Sequence, residues 1–165
     1  MPRVLIVAYG NPLRSDDGVG WIIADELRCR LASPEVEVVR LQQLLPEVAE
    51  SVSRAEAAIF VDASRDGEPG DICRQPVAAP PARVQFSHQL SPADVLGLAC
   101  QLYGATPQAS CVTLAGECFE HGEGLSQKVG ARLPLLAARV EQLTKQILSG
   151  PAASSLASRE DEAAS

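Results

Sequence analysis

The chain has 165 residues, of which 46% are hydrophobic and 21% are charged, a composition typical of one soluble globular domain. Its net charge of −7 argues against a nucleic-acid partner, because phosphate neutralisation needs a surplus of lysine and arginine. No apolar run is long enough to span a bilayer, so no membrane partner is expected. The N-terminal segment lacks the pattern of a signal peptide, which predicts a cytoplasmic location.

The first half of the chain alternates between strand and helix patterns. Buried-type strands are predicted at 4–9 and 57–61, the latter ending at Asp62, and a further strand at 36–41. A helix is predicted after Gly18 and a short one over 46–52. Such alternation is typical of a parallel sheet covered by helices.

The second half continues the pattern. An edge strand is predicted at 71–77, a helix from Ser91 to Gly104 and a strand at 110–115. Ser126 begins the last helical pattern, and Pro134 inside it predicts either a kink or a later true start. Residues 1–148 are therefore interpreted as a single α/β domain, and residues 149–165, rich in Ala, Ser and charge, as a disordered tail.

These elements predict an αβα sandwich with three layers. About five strands fit the length, in a mostly parallel, twisted sheet with helices on both faces.

Three residues are candidates for a metal-binding site. Asp17 follows the first strand, Asp62 ends the third, and His88 precedes the helix that Ser91 caps. Parallel strands bring such positions to one edge of the sheet, where ligands of open α/β sheets bind. Two carboxylates and an imidazole suit a hard or borderline divalent ion and leave coordination positions open.

Each candidate also has a structural interpretation. Asp16 or Asp17 can cap the helix at Gly18, Asp62 can support the following turn, and His88 can be a surface histidine. His121 is the rival ligand; it lies in the glycine-rich loop 119–124, which is expected to line a groove.

Other chemistries have less support. The chain contains no G-x-S-x-G elbow, no Walker A loop and no H-E-x-x-H. Its five cysteines include no C-x-x-C pair and are interpreted as small buried side chains in a reducing compartment. A Cys–His nucleophilic pair stays open, although no local feature favours it.

The order and spacing of four short motifs resemble those of the hydrogenase maturation proteases, which trim the large subunit of nickel-iron hydrogenases. These motifs are GNPL with DDGVG at 10–20, FVDA at 60–63, SHQL at 87–90 and ADVL at 93–96. The family's metal-contacting positions correspond to Asp17, Asp62 and His88. Where many relatives carry Asp-Gly-Gly-Thr, this chain reads LQQLLPE at 41–47, a variant that resembles the branch serving NAD-linked, bidirectional-type hydrogenases.

The resemblance implies an endopeptidase that removes the C-terminal extension of a large-subunit precursor after nickel insertion. Asp17, Asp62 and His88 would then be both catalytic and metal-sensing residues. The nickel would belong to the precursor, and no tightly bound metal is expected in the isolated protein. The residues expected to contact substrate are Asn11, Asp16, Gln43, Glu47, Glu120 and His121.

Two other function classes stay open. One is a metal-sensing maturation chaperone without proteolytic activity. The other is an enzyme similar to peptidyl-tRNA hydrolase, which also begins with a strand and a Gly-Asn-Pro turn; the acidic charge and the acids at 16–17 argue against an RNA substrate.

Overall fold

A computed structural model describes residues 1–81 and 89–151. His88 and the segment 152–165 lie outside the described residues. The five described strands are β1 (Val4–Tyr9), β2 (Val36–Leu41), β3 (Ala57–Ser64), β4 (Ile72–Pro76) and β5 (Gln108–Ala115). The described helices are α1 (Val19–Arg30), α2 (Val48–Arg54), α3 (Pro92–Tyr103), α4 (Gln127–Gly130) and α5 (Leu133–Ser149), and a 3₁₀ turn (Ser15–Gly18) precedes α1.

The strands form one sheet in the order β2-β1-β3-β5-β4. All neighbouring pairs are parallel except β4 with β5, which is antiparallel and places β4 at the edge as predicted. β1 and β3 lie inside the sheet, where helices cover both of their faces. This position explains why their sequences are almost continuously apolar.

Helices cover both faces of this sheet, which confirms the predicted three-layer sandwich. One face packs against α1, α4 and α5 through Val19, Ile23, Leu136 and Val140. The other face packs against α2 and α3 through side chains that include Phe60 and Val95. In the part of the chain that the structure describes, no helix is both long and apolar enough to cross a membrane.

Several local predictions are confirmed and two are corrected. Ser91 and Asp94 form a reciprocal capping box at the start of α3, and Gly104 ends that helix in the left-handed conformation. The last helix truly begins at Leu133, with Pro134 in its first turn, where a proline costs no hydrogen bond. β3 runs past Asp62 to Ser64 because its pairing with β5 continues beyond the end of β1.

The cysteines provide the second correction, since none of the five is buried. Cys29, Cys73 and Cys100 are exposed, Cys111 and Cys118 are half-buried, and all five are free thiols. Their predicted burial is wrong: Cys29 and Cys100 lie near helix ends and Cys73 on the edge strand β4, while Cys111 on β5 and Cys118 in the following loop are only partly covered.

Candidate active site

An open cleft of about 870 Å³ lies at the carboxyl ends of the central strands. Its walls come from the loop after β1, the segment after β2, the end of β3 and the loop after β5. Residues far apart in sequence therefore meet here, as expected for an α/β sheet. The lining residues are Asn11, Arg14, Asp17, Leu41, Gln42, Gln43, Leu45, Asp62, Ala63, Ser64, Arg65, Gln89, Thr113 and Phe119.

The loop after β1 holds Asp17 at the side of this cleft. The backbone N–H of Asn11 donates a hydrogen bond to Oδ2 of Asp17 (3.0 Å), while Oδ1 of Asn11 accepts one from the N–H of Leu13 (3.0 Å). Asp17 makes no capping hydrogen bond to α1. The capping interpretation is therefore wrong for Asp17, whose carboxylate is half-buried and borders the cleft.

Asp62 lies in the same cleft, near the end of β3. The N–H of Ala63 donates a hydrogen bond to its Oδ1 (2.7 Å). Burial, and to a smaller extent the negative charge of Asp17, raise the pKa of Asp62 to about 7, against the opposing hydrogen bonds from Ala63 and the Tyr9 hydroxyl. The anionic form of Asp62 is therefore disfavoured in this cleft. A cation bound near Asp62 and Asp17 would stabilise this anionic form.

The third predicted ligand, His88, lies outside the described residues. Its neighbour in sequence, Gln89, lines the cleft. Among residues 1–81 and 89–151, no three His, Cys, Asp or Glu side chains group closely enough to hold a metal ion. The described residues thus bring together two of the three predicted ligands, and His88 stays a prediction.

Asp16, adjacent to Asp17, points away from the cleft into the protein. It is completely buried, and its carboxylate accepts hydrogen bonds from the N–H groups of Glu117 (2.8 Å), Cys118 (3.0 Å) and Ser126 (2.7 Å) and from the Ser126 hydroxyl (2.9 Å). Burial favours its neutral form, but these bonds outweigh burial and hold the pKa of Asp16 below its usual value.

The geometry therefore corrects the prediction that Asp16 contacts substrate. Its side chain is also neither a helix cap nor a free base, because all four of its side-chain hydrogen bonds are with the loop after β5 and its end at Ser126. Its role is to fasten that loop to the loop after β1.

The remaining predicted contact residues lie in three different places. Asn11 and Gln43 line the cleft, whereas Glu47 is exposed at the start of α2 and does not border it. Glu120 and His121 border a neighbouring hollow of about 610 Å³.

Cys111 lies near Asp62 on the adjacent strand. Burial raises the pKa of its thiol to about 12, and the charge of Asp62 contributes to the rise. The thiol of Cys111 therefore stays protonated at neutral pH, which argues against this cysteine as the thiolate nucleophile of a Cys–His pair.

The sequence prediction missed several residues at the cleft, among them Arg14, Arg65 and Phe119. The guanidinium of Arg65 stacks on the Phe119 ring, with its central carbon 4.2 Å from the ring centre. These residues border both the cleft and the hollow. The sequence could have indicated the two arginines, because each lies a few residues after a strand whose carboxyl end was predicted to border the site. Nothing in the sequence indicated Phe119.

The fold and the paired carboxylates define a class: an α/β sandwich with an acidic site at the carboxyl edge of its sheet. Comparison with protein-family models gives no match, and no curated protein matches by sequence. The chain is similar in structure to the hydrogenase maturating endopeptidase HybD from E. coli, with a TM-score of 0.70 and 23% identity over 87% of this chain and 93% of that one.

Two archaeal structures show the same likeness. A [NiFe] hydrogenase maturation protease, HycI from Thermococcus kodakarensis, has a TM-score of 0.67 and 20% identity over 90% of this chain and 93% of that one. HybD from the same organism has a TM-score of 0.64 and 22% identity over 86% and 98%. The chain has the fold of the hydrogenase maturation proteases, which confirms the resemblance at the level of the fold.

Proposed function

We propose that this protein is an endopeptidase that removes the C-terminal extension from the large-subunit precursor of a nickel-iron hydrogenase. The observation that carries the proposal is the pair Asp17 and Asp62, half-buried in one cleft at the carboxyl edge of the sheet. The fold shared with maturation proteases supports the same activity. The partner is thus a precursor polypeptide, and the expected location is cytoplasmic.

The proposed role of Asp17, Asp62 and His88 is to recognise nickel that the precursor carries. Two carboxylates and one imidazole are suitable donors for such an ion. Three donors leave its coordination incomplete, so the isolated protein is expected to bind free metal loosely. Thiolates of the precursor would supply the missing ligands and bring the peptide bond to be cut into the cleft.

The cleft is also suited to an extended peptide. Asn11, Gln42, Gln43 and Gln89 line it, and a side-chain amide can both donate a hydrogen bond to a peptide backbone and accept one from it. Binding energy along the peptide would then position the reacting bond, which is a large source of catalytic advantage. Glu47, Glu120 and His121 remain proposed contacts farther from the acids.

Processing of a purified precursor tests the proposal. We expect the wild-type protein to shorten the nickel-containing precursor, seen as a gel shift and by mass spectrometry, and to leave the metal-free precursor nearly intact. Metal analysis of the enzyme should find little bound metal. Equal cleavage of both precursor forms, or a stoichiometric zinc that activity requires, would replace nickel recognition by ordinary metalloprotease chemistry.

Substitutions assign the roles. Asp17→Asn, Asp62→Asn and His88→Ala should each reduce processing by about 100-fold or more, since asparagine keeps the shape but lacks the charge that a divalent ion needs. His121→Ala is the matched control and should reduce it only slightly. Processing at the wild-type rate in two of the three variants would contradict the assignment of the site. If the wild-type protein binds the precursor tightly but does not cut it, the result would indicate the maturation chaperone instead.

A further inference from the structure

We infer that Arg14 and Arg65 form a carboxylate-binding clamp on the rim of the cleft, which holds an anionic group of the polypeptide substrate. The inference rests on the proposed peptide substrate and adds that this substrate carries a carboxylate that the protein recognises. Both arginines are exposed, whereas Asp17 and Asp62 are half-buried. The cleft therefore has negative charge inside and positive charge at its mouth, in a protein whose net charge is −7.

Phe119 connects the two arginines and restricts both of them. Arg65 stacks on its ring at 4.2 Å, and Nε of Arg14 donates a hydrogen bond to its backbone oxygen (3.4 Å). The ring itself lies over Gly116, where a Cβ atom would be only 2.6 Å from its Cζ. The ring beneath the Arg65 guanidinium, and the backbone oxygen that holds Arg14, thus belong to the loop that Asp16 fastens.

This arrangement suits a carboxylate. A guanidinium stacked on a ring keeps its in-plane N–H groups free, and these match the two oxygens of a carboxylate. Among the described residues, neither arginine forms an ion pair, as is also true of Arg74, Arg132 and Arg139; Arg14 and Arg65 differ in that both are held by Phe119 at the cleft. Two restrained cations with no internal counter-ion there indicate an external anion.

The surrounding acids determine where that anion lies. Asp17 and Asp62 repel it from the inner part of the cleft. On the side of the hollow, Glu117 lies 3.8 Å from the ammonium of Lys128, which compensates its charge, and Glu120 is exposed. The anion is thus placed at the border between the cleft and the hollow, the surface that Arg14, Arg65 and Phe119 share.

The carboxylate can come from an acidic side chain of the substrate or from its free C-terminus, and a peptide titration distinguishes the two sources. Three short peptides blocked at the N-terminus serve as probes: one with a central glutamate and an amidated end, one with glutamine and an amidated end, and one with glutamine and a free carboxylate. The NMR signals of the Arg14 and Arg65 Nε–H groups should shift with one or both anionic peptides and not with the neutral one. Equal shifts with the neutral peptide, or no shift with either anionic peptide, would overturn the inference.

Processing kinetics provide the second readout. Arg14→Gln and Arg65→Gln should each raise KM for the precursor on the order of fivefold while changing kcat less than about twofold, the expected loss of a charge-assisted contact. Arg65→Lys, which keeps the charge but not the flat stacking group, should lie between Arg65→Gln and the wild type. Arg54→Gln is the matched control, because Arg54 is exposed on α2 and paired with Glu50 away from the cleft.

An unchanged KM in both glutamine variants would also overturn the inference. Failure of the wild-type protein to cut the precursor would instead count against the proposed protease, and the peptide titration would still decide whether the clamp binds carboxylates.

Discussion

Two adjacent aspartates in this chain have opposite surroundings. Asp16 and Asp17 both lie in the 3₁₀ turn before α1, where successive side chains point about 120° apart. Asp16 therefore enters the protein and accepts four hydrogen bonds, while Asp17 faces the cleft. The same residue type thus fastens a loop at one position and places a carboxyl group at the cleft at the next.

Asp62→Asn should stabilise the metal-free protein, and the gain should grow with pH. The pKa of Asp62 is about 7 when folded, against a usual value of 3.8, so the folded protein keeps a proton that the unfolded chain has lost. The free energy of unfolding therefore falls as pH rises from about 4 to about 7, and above this range the full cost of the charge is present. Asparagine has no charge to bury and avoids this cost.

Thermal unfolding at pH 4.5 and pH 8 measures the effect. The variant and the wild type should have similar Tm values in acid, and the variant should be more stable at pH 8, by roughly 2–4 °C for each kcal/mol recovered. The exposed Asp66 provides the control, since Asp66→Asn should show no such dependence. An equal or lower Tm for Asp62→Asn at pH 8 would mean that burial does not disfavour this carboxylate.

At the scale of elements, the site depends on how closely α1 approaches the sheet. Gly20, in the first turn of α1, lies against the backbone of β1 and β3: a Cβ atom there would be 2.7 Å from the nitrogen of Tyr9 and 2.8 Å from the oxygen of Val61. No side chain fits at this contact. The close approach places the turn that carries Asp17 beside the end of β3 that carries Asp62.

Gly20→Ala should therefore destabilise the protein and impair the site. Overpacking against backbone costs about 1–3 kcal/mol, and the shift of α1 should also lower processing activity. Gly130→Ala is the matched control, because a Cβ atom there meets nothing within 4 Å and alanine favours a helix by about 1 kcal/mol. Chemical denaturation of both variants gives the comparison; equal stability of the two would show that α1 can move without cost.

At the scale of the whole molecule, Arg3 joins the two ends of the described chain. Its guanidinium donates hydrogen bonds to the backbone oxygens of Leu148 (3.1 Å) and Gly150 (3.1 Å), and it pairs with Glu35 and Glu56. α5 continues to Ser149, so the end of this helix packs with the domain. The boundary predicted at residue 148 thus falls inside α5.

Two truncations test where the domain ends. Removal of residues 152–165 should leave Tm nearly unchanged, because this segment has no apolar periodicity with which to pack. Removal of residues 148–165 should lower Tm by several degrees, since Arg3 then loses both backbone acceptors and the core loses Leu148. A large drop on the shorter truncation would show that the tail packs against the domain or mediates assembly.

The sequence by itself determined the layers, the strand positions and the edge at which Asp17 and Asp62 meet. These depend on apolar periodicity and on local signals such as the Ser91 capping box, and parallel strands necessarily end at one edge. The positions of the cysteines and the limits of β3 did not follow, because exposure and pairing depend on neighbouring elements.

Only the tertiary structure decided which acids line the cleft and in which direction their pKa values shift. The burial of Asp16 requires the loop after β5, and the raised pKa of Asp62 requires the desolvation and charges that neighbouring elements supply. The contact of Arg65 with Phe119 joins residues from two different loops. Periodicity carries no information on such contacts, because desolvation, charge and stacking act through space rather than along the chain.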